Sequence, residues 1–131
     1  MPELLSEQWF AEVERLAERY GNIPLSDKAR DTLINISVNR GADNVPLRLE
    51  GGQFKRGHSA EAKTTVTLPI REFMTVFIEN DPKAGMEAFM QKKMTAEGDM
   101  APLMDLQWIE MTAEQKEMQA ALVSLSQLPN S

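Results

Sequence analysis

The chain carries one histidine, His58, directly followed by Ser59, and it has no cysteine. A serine nucleophile needs an imidazole within hydrogen-bond reach and an acid to orient the ring. Neighbours on a strand point to opposite faces, so His58 and Ser59 read as a solvated strand pair rather than a catalytic one. A single imidazole, no thiolate and scattered carboxylates assemble no zinc site, and no acidic run has the spacing of a calcium loop. Glu97 and Asp99 are spaced for acid–base work, but a strand-edge charge followed by a helix cap accounts for both. Gly51, Gly52 and Gly57 lack the string of a phosphate loop and read as turn residues. Asn35-Ile36-Ser37 matches a glycosylation sequon, but it falls inside a predicted strand and is set aside. The residues therefore predict a protein that is not an enzyme and that holds no cofactor and no metal.

Methionines remain. Eight of the nine stand at or after position 74. They gather in "KKMTAEGDMAPLMDLQ", residues 92–107, which alternates like a strand up to Glu97, breaks at Gly98-Asp99 and resumes at helical spacing with Met100, Leu103, Met104 and Leu106. Methionine is unbranched and polarizable, and it lines surfaces that fit variable apolar shapes. Filling an ordinary core explains such a stripe without any ligand.

The elements that must position these residues follow from period and caps. Ser6 and Glu7 start a helix over 7–20 whose apolar stripe is Trp9, Phe10, Val13, Leu16, Ala17 and Tyr20, and Gly21 ends it. Ile34, Ile36 and Val38 alternate with polar residues, as do Val45, Leu47 and Leu49, so both segments are strands with one buried face. Gly51-Gly52 turns the chain into "QFKRGHS", and "KTTVTL" supplies a fourth strand, a spacing that suits an antiparallel meander. Helix returns at Pro69, with Phe73, Met74, Phe77 and Ile78 on its apolar face. Asp81-Pro82 caps and opens another helix carrying Met86, Phe89 and Met90. A fifth strand follows at 93–97, then a helix capped by Asp99. Thr112 and Gln115 form a capping box for a last helix over 113–127, with Met118, Ala121, Leu122 and Leu125 on one face. The expected fold class is α+β, a five-stranded, largely antiparallel sheet covered on one face by helices.

A chain of 131 residues is one domain by length and long enough for a real core. A net charge of −6 argues against nucleic acid as a partner. The middle, residues 40–63, is slightly basic, and such a sheet face suits transient contact with an anionic membrane. The start of the chain lacks the basic and apolar runs of a signal peptide, and no apolar run is long enough to span a membrane, so the expected location is cytoplasmic.

The whole pattern resembles the sterol carrier protein type 2 family of intracellular lipid-binding domains. The resemblance is strongest in "DPKAGMEAFMQKKMTAEGDMAPLMDLQ". It rests there on Ala88-Phe89, Lys93-Met94, Gly98-Asp99-Met100, Met104 and Leu106-Gln107. It extends to "TTVTLPIREFMTVF" and covers roughly residues 4–108, with residues 112–127 as a helical extension. Departures are Lys63, where the family commonly has an acid, Gln91 in place of a glycine, and about three extra residues near 83–85. The chain also closes without a peroxisomal ending of the Ser-Lys-Leu type.

The resemblance implies an apolar tunnel between sheet and helices that takes up a lipid (fatty acid, acyl-CoA, sterol-like or polyprenyl) without consuming it. The implied ligand-binding residues are Ile36, Phe73, Phe77, Phe89, Met90, Met94, Met100, Leu103, Met104 and Gln107. Met94 and Ala96 would turn inward from the fifth strand, with Thr95 and Glu97 outward, and Gln107 would offer a polar handle. The last helix would lid the tunnel or mediate a homodimer. An alternative of another class is an interaction or dimerisation module that serves a lipid-metabolising enzyme and has no ligand cavity.

Overall fold

Ser6 opens the first helix, α1 (Glu7–Arg19), and its Oγ accepts from the Trp9 amide at 3.1 Å. A capped amphipathic helix forms there because polar residues separate Trp9, Phe10, Val13 and Leu16, which are all buried on one face. The computed structural model describes residues 3–20, 27–41, 43–105 and 112–126; Gly21, expected to end this helix, lies outside them. A short helix, α2 (Asp27–Asp31), follows, closed by an Asp27–Arg30 ion pair at 2.9 Å. Five residues without an apolar stripe carry no periodic signal, so this helix is not legible in the sequence.

The sheet holds β1 (Leu33–Asn39), β2 (Asn44–Glu50), β3 (Gln53–Arg56), β4 (Thr64–Pro69) and β5 (Thr95–Gly98), in the spatial order β3-β2-β1-β4-β5. Antiparallel pairing joins β1 to β2, β2 to β3 and β4 to β5, whereas β1 and β4 run parallel. The expected meander is therefore correct only for the first three strands. After β3 the chain crosses β1 instead of turning back, held by the Asn35 side-chain amide. Asn35 donates to the Ser59 carbonyl at 3.0 Å and accepts from the Ser59 amide at 2.8 Å, as a strand would. That buried amide satisfies the crossing backbone and opens the slot beside β1 to β4. Strand β1 is thus central, with Ile36 registered between Leu47 and Val66.

This crossing also corrects the reading of His58. Strand β3 ends at Arg56, and His58 sits in the loop beyond it with Nε2 3.0 Å from the Ile36 carbonyl and 3.3 Å from Ser37 Oγ. Pro69, expected inside a first helical turn, instead ends β4 and stands at the cap position of α3 (Ile70–Phe73). That helix widens into a π-helical segment, Met74–Ile78, whose Met74, Phe77 and Ile78 are buried. Asp81 then caps α4 (Pro82–Met90), accepting from the Lys83 and Ala84 amides, with proline in the first turn.

The core lies between the sheet and its helices. Ile34, Ile36, Val38, Leu47, Val66 and Leu68 face the α1 side chains and Phe73. The last helix, α6 (Ala113–Leu125), starts at the predicted capping box, with both reciprocal bonds formed at 3.0 and 3.2 Å. It packs on α1 and the π-helical segment. Among the described residues no helix is long and apolar enough to cross a membrane.

Candidate ligand-binding site

The corner singled out in the sequence is built by close backbone fit. Met94 is buried, Ala96 is half-buried, and Thr95 and Glu97 face solvent, so β5 divides as its alternation predicts. Gly98 turns the chain with φ +89, and a Cβ there would run into the Lys63 carbonyl. Only glycine satisfies both conditions. The Asp99 amide donates to the Lys63 carbonyl at 2.8 Å, and Thr64 Oγ1 donates to the Asp99 carbonyl. The Asp99 carboxylate accepts from the Ala101 amide at 3.0 Å and starts α5 (Ala101–Asp105). Met100 and Leu103 are half-buried, Leu103 against the core.

The helical wall is aromatic. Phe73 and Phe77 stack with centroids 5.7 Å apart, Phe54 meets Phe73 edge-on at 5.7 Å, and Trp9 leans on Phe54 at 6.4 Å. Of the ten residues named from the sequence, Ile36, Phe73, Phe77 and Met94 are brought together in the buried core, with Leu103 at its rim and Met100 half-buried. Phe89, Met90 and Met104 are turned to solvent instead, at 45%, 74% and 59% exposure. Helix α4 seats itself through small residues: Ala88 is buried, and a Cβ on Gly85 would meet Val76 at 3.4 Å. Gln107 lies outside the described residues. Phe54 and Trp9 extend the aromatic wall and were absent from the expected site. The alternation of "QFKR" and the α1 stripe mark them as inward-facing, but give no sign that they meet Phe73.

Most basic side chains in the slightly basic middle of the chain are held in ion pairs. Lys55 donates to Glu50 at 2.5 Å and Arg48 to the same carboxylate at 3.2 Å, which holds that carboxyl below its ordinary value. Arg56 bridges to Glu7 and Glu14 at 2.6 and 3.2 Å and lies over the Phe10 ring. No group of three or more histidine or acidic side chains among the described residues is placed to hold a metal ion.

Residues 13–109 match the model of the SCP-2 sterol transfer family. The chain belongs to that family. Its fold matches an apo sterol carrier protein 2 from Yarrowia lipolytica with a TM-score of 0.57 at 14% identity, covering 88% of this chain and 97% of that one. Sterol carrier protein 2 like 2 from Aedes aegypti matches with a TM-score of 0.54 at 14% identity, over 76% and 94% of the two chains. A ubiquinone synthesis protein, UbiJ-SCP2, matches with a TM-score of 0.50 at 16% identity, over 86% and 94%. No curated protein matches the sequence. The α+β fold with a five-stranded mixed sheet is thus that of the sterol transfer family, whose class of activity is lipid binding and transfer.

Proposed function

We propose that this protein binds one apolar chain between its sheet and helices and carries it through the cytoplasm without chemical change. The ligand class is a fatty acid, acyl-CoA, sterol-like or polyprenyl lipid. The observation that carries this reading is the β5–α5 corner, where Met94 enters the core, Leu103 packs at its rim and Met100 between them is only half-buried. Flexible thioethers beside the rigid Phe73–Phe77 stack form a wall that yields to an acyl chain along one side. A buried chain of about 14 methylenes gains roughly 11 kcal/mol at about 0.8 each. Association and ordering cost at least about 4 kcal/mol. A net of about −7 kcal/mol corresponds to micromolar binding, which suits a carrier that must also release.

The test begins with mass spectrometry of the purified protein, native and after organic extraction. A lipid near one per chain is expected. Met100→Trp with Leu103→Trp should then weaken uptake of a fluorescent fatty acid about tenfold or more by filling the rim, with the circular dichroism spectrum retained. Normal uptake by that folded double variant would remove the corner from the site.

The second reading, an interaction module serving a lipid-metabolising enzyme, draws on the likeness to a ubiquinone synthesis protein and on the exposed apolar side chains of α4 and α5. Dimerisation through α6 has less support, because Leu122 of that helix is buried within its own chain and Ala121 and Leu125 pack beside it. A protein that is empty on extraction and refuses fatty acids would favour the module.

A further inference from the structure

We propose that the outward face of α4 pairs with the same face of a second copy of this chain, the two helices running antiparallel about a two-fold axis at Met86. This goes beyond the carrier reading and does not depend on it. Gly85 and Ala88 seat the helix on the π-helical segment, so Met86, Phe89 and Met90 point away from the core. Met86 is 54% exposed. Among the described residues only four large apolar side chains stand so far in water, and three of them belong to this one nine-residue helix. An apolar stripe confined in this way marks a contact surface.

Charge names the occupant. Glu79, Asp81 and Glu87 balance Lys83, Lys92 and Lys93, so the face as a whole draws neither an acidic nor a basic partner. What it has is polarity along its length. Glu79 and Asp81 stand before the stripe, Lys92 and Lys93 stand after it, and all four are exposed. Asp81 caps the helix through Oδ1 alone, which leaves Oδ2 for a partner. Among the described residues none of Glu79, Asp81, Lys83, Glu87 and Lys92 is held in an ion pair, and Lys93 reaches Glu72 only at 3.9 Å. A surface with acids at one end and bases at the other is complementary to its own copy turned end for end. A parallel pair would set lysine against lysine.

The spacing fits the antiparallel arrangement. At the helical rise, Asp81 lies about 7.5 Å before Met86 and Lys92 about 9 Å after it. With the two-fold axis at Met86, each end of one helix therefore meets the oppositely charged end of the other. Met86 meets its own counterpart on the axis, and the Lys83 stem of one copy lies along the Met90 thioether of the other. Exposed ion pairs add little affinity, so the charges set orientation and register while the stripe supplies the burial. A nine-residue helix covers less than the roughly 800 Å² per partner of a stable complex, so the dimer is a weak one.

The test is sedimentation equilibrium of the full chain between about 10 μM and 1 mM, the range that brackets a contact of this size. The wild type should pass from monomer toward dimer across it. Met86→Ser with Phe89→Ser should weaken the dimer about tenfold or more, with the circular dichroism spectrum retained. Glu79→Lys and Lys92→Glu should each weaken it severalfold. Both in one chain should recover most of the loss, because opposite charges face each other again. The chain has no cysteine, so Met86→Cys or Lys92→Cys adds a single thiol. A short bismaleimide should link Met86→Cys chains readily and Lys92→Cys chains severalfold less, since an antiparallel pair sets the two 92 positions about 18 Å apart. A monomer throughout the range, a dimer indifferent to the serine variant, or preferential linking at position 92 would overturn the proposal. So would a double charge variant that dimerises no better than either single one.

Discussion

The two ends of the helical layer are built on opposite terms. Around α1, β3 and α6, rigid groups meet at fixed geometry. Trp9 is fully buried against Phe10 at 5.1 Å, and its indole N–H donates to Ser126 Oγ at 2.8 Å. Ser126 Oγ in turn donates to the Leu122 carbonyl at 2.7 Å, so the last turn of α6 is tied to α1 through one hydroxyl. Around α4, β5 and α5, methionines predominate, three of them largely exposed, and the ordered features are backbone corners at Gly98 and Lys92. One end is set by stacked rings and a shared hydroxyl; the other exposes unbranched side chains beside its backbone turns. The carrier proposed above would use both, a well-packed frame and an adaptable wall of thioethers.

The comparison can be broken first at Trp9. Trp9→Ala should cost about 3–5 kcal/mol of stability in urea denaturation, since the cavity sits among rigid rings that cannot collapse into it. A loss below about 1 kcal/mol would show that this end is no tighter than the other. Gly98→Ala tests whether the corners, rather than the side chains, hold the methionine-rich end. It should cost roughly 2–4 kcal/mol, from the positive φ and the clash with the Lys63 carbonyl. Ser126→Ala should cost about 1–3 kcal/mol by leaving the buried indole N–H without its acceptor. It should also speed exchange of amides in α6 more than in α4. The smallest change, and the one of opposite sign, is Lys92→Gly. Relief of the left-handed strain should stabilise the fold by up to about 1 kcal/mol in urea denaturation.

Much of the frame was legible because its signals are local. Ser6, Asp81, Asp99 and Thr112 each cap the helix they were expected to cap, since a cap needs only a side chain and amides two or three residues away. The alternation of β2 and β5 likewise predicts which side chains are buried, whereas in β1 Asn35 is buried against the pattern. The partner of β4 was not legible, because strand period says which face is buried and nothing about which edge is paired. The crossing that decides it depends on Asn35 meeting Ser59, residues 24 positions apart.

Helix α4 shows the same limit at the site. Its large apolar side chains suggested an inward face for Phe89 and Met90, yet Gly85 and Ala88 make the closer contact and win that side. A large-residue stripe and a small-residue stripe on one helix are both plausible packing faces until a neighbour of definite shape is present. The sequence by itself determined the caps, the strand alternation, the aromatic and methionine content of the wall and the Gly98 corner, because each rests on interactions within a few residues. Only the tertiary structure decided that β4 runs parallel to β1, that Ser126 reaches Trp9, and that α4 faces outward. Those outcomes depend on which surfaces, far apart in the chain, fit each other best.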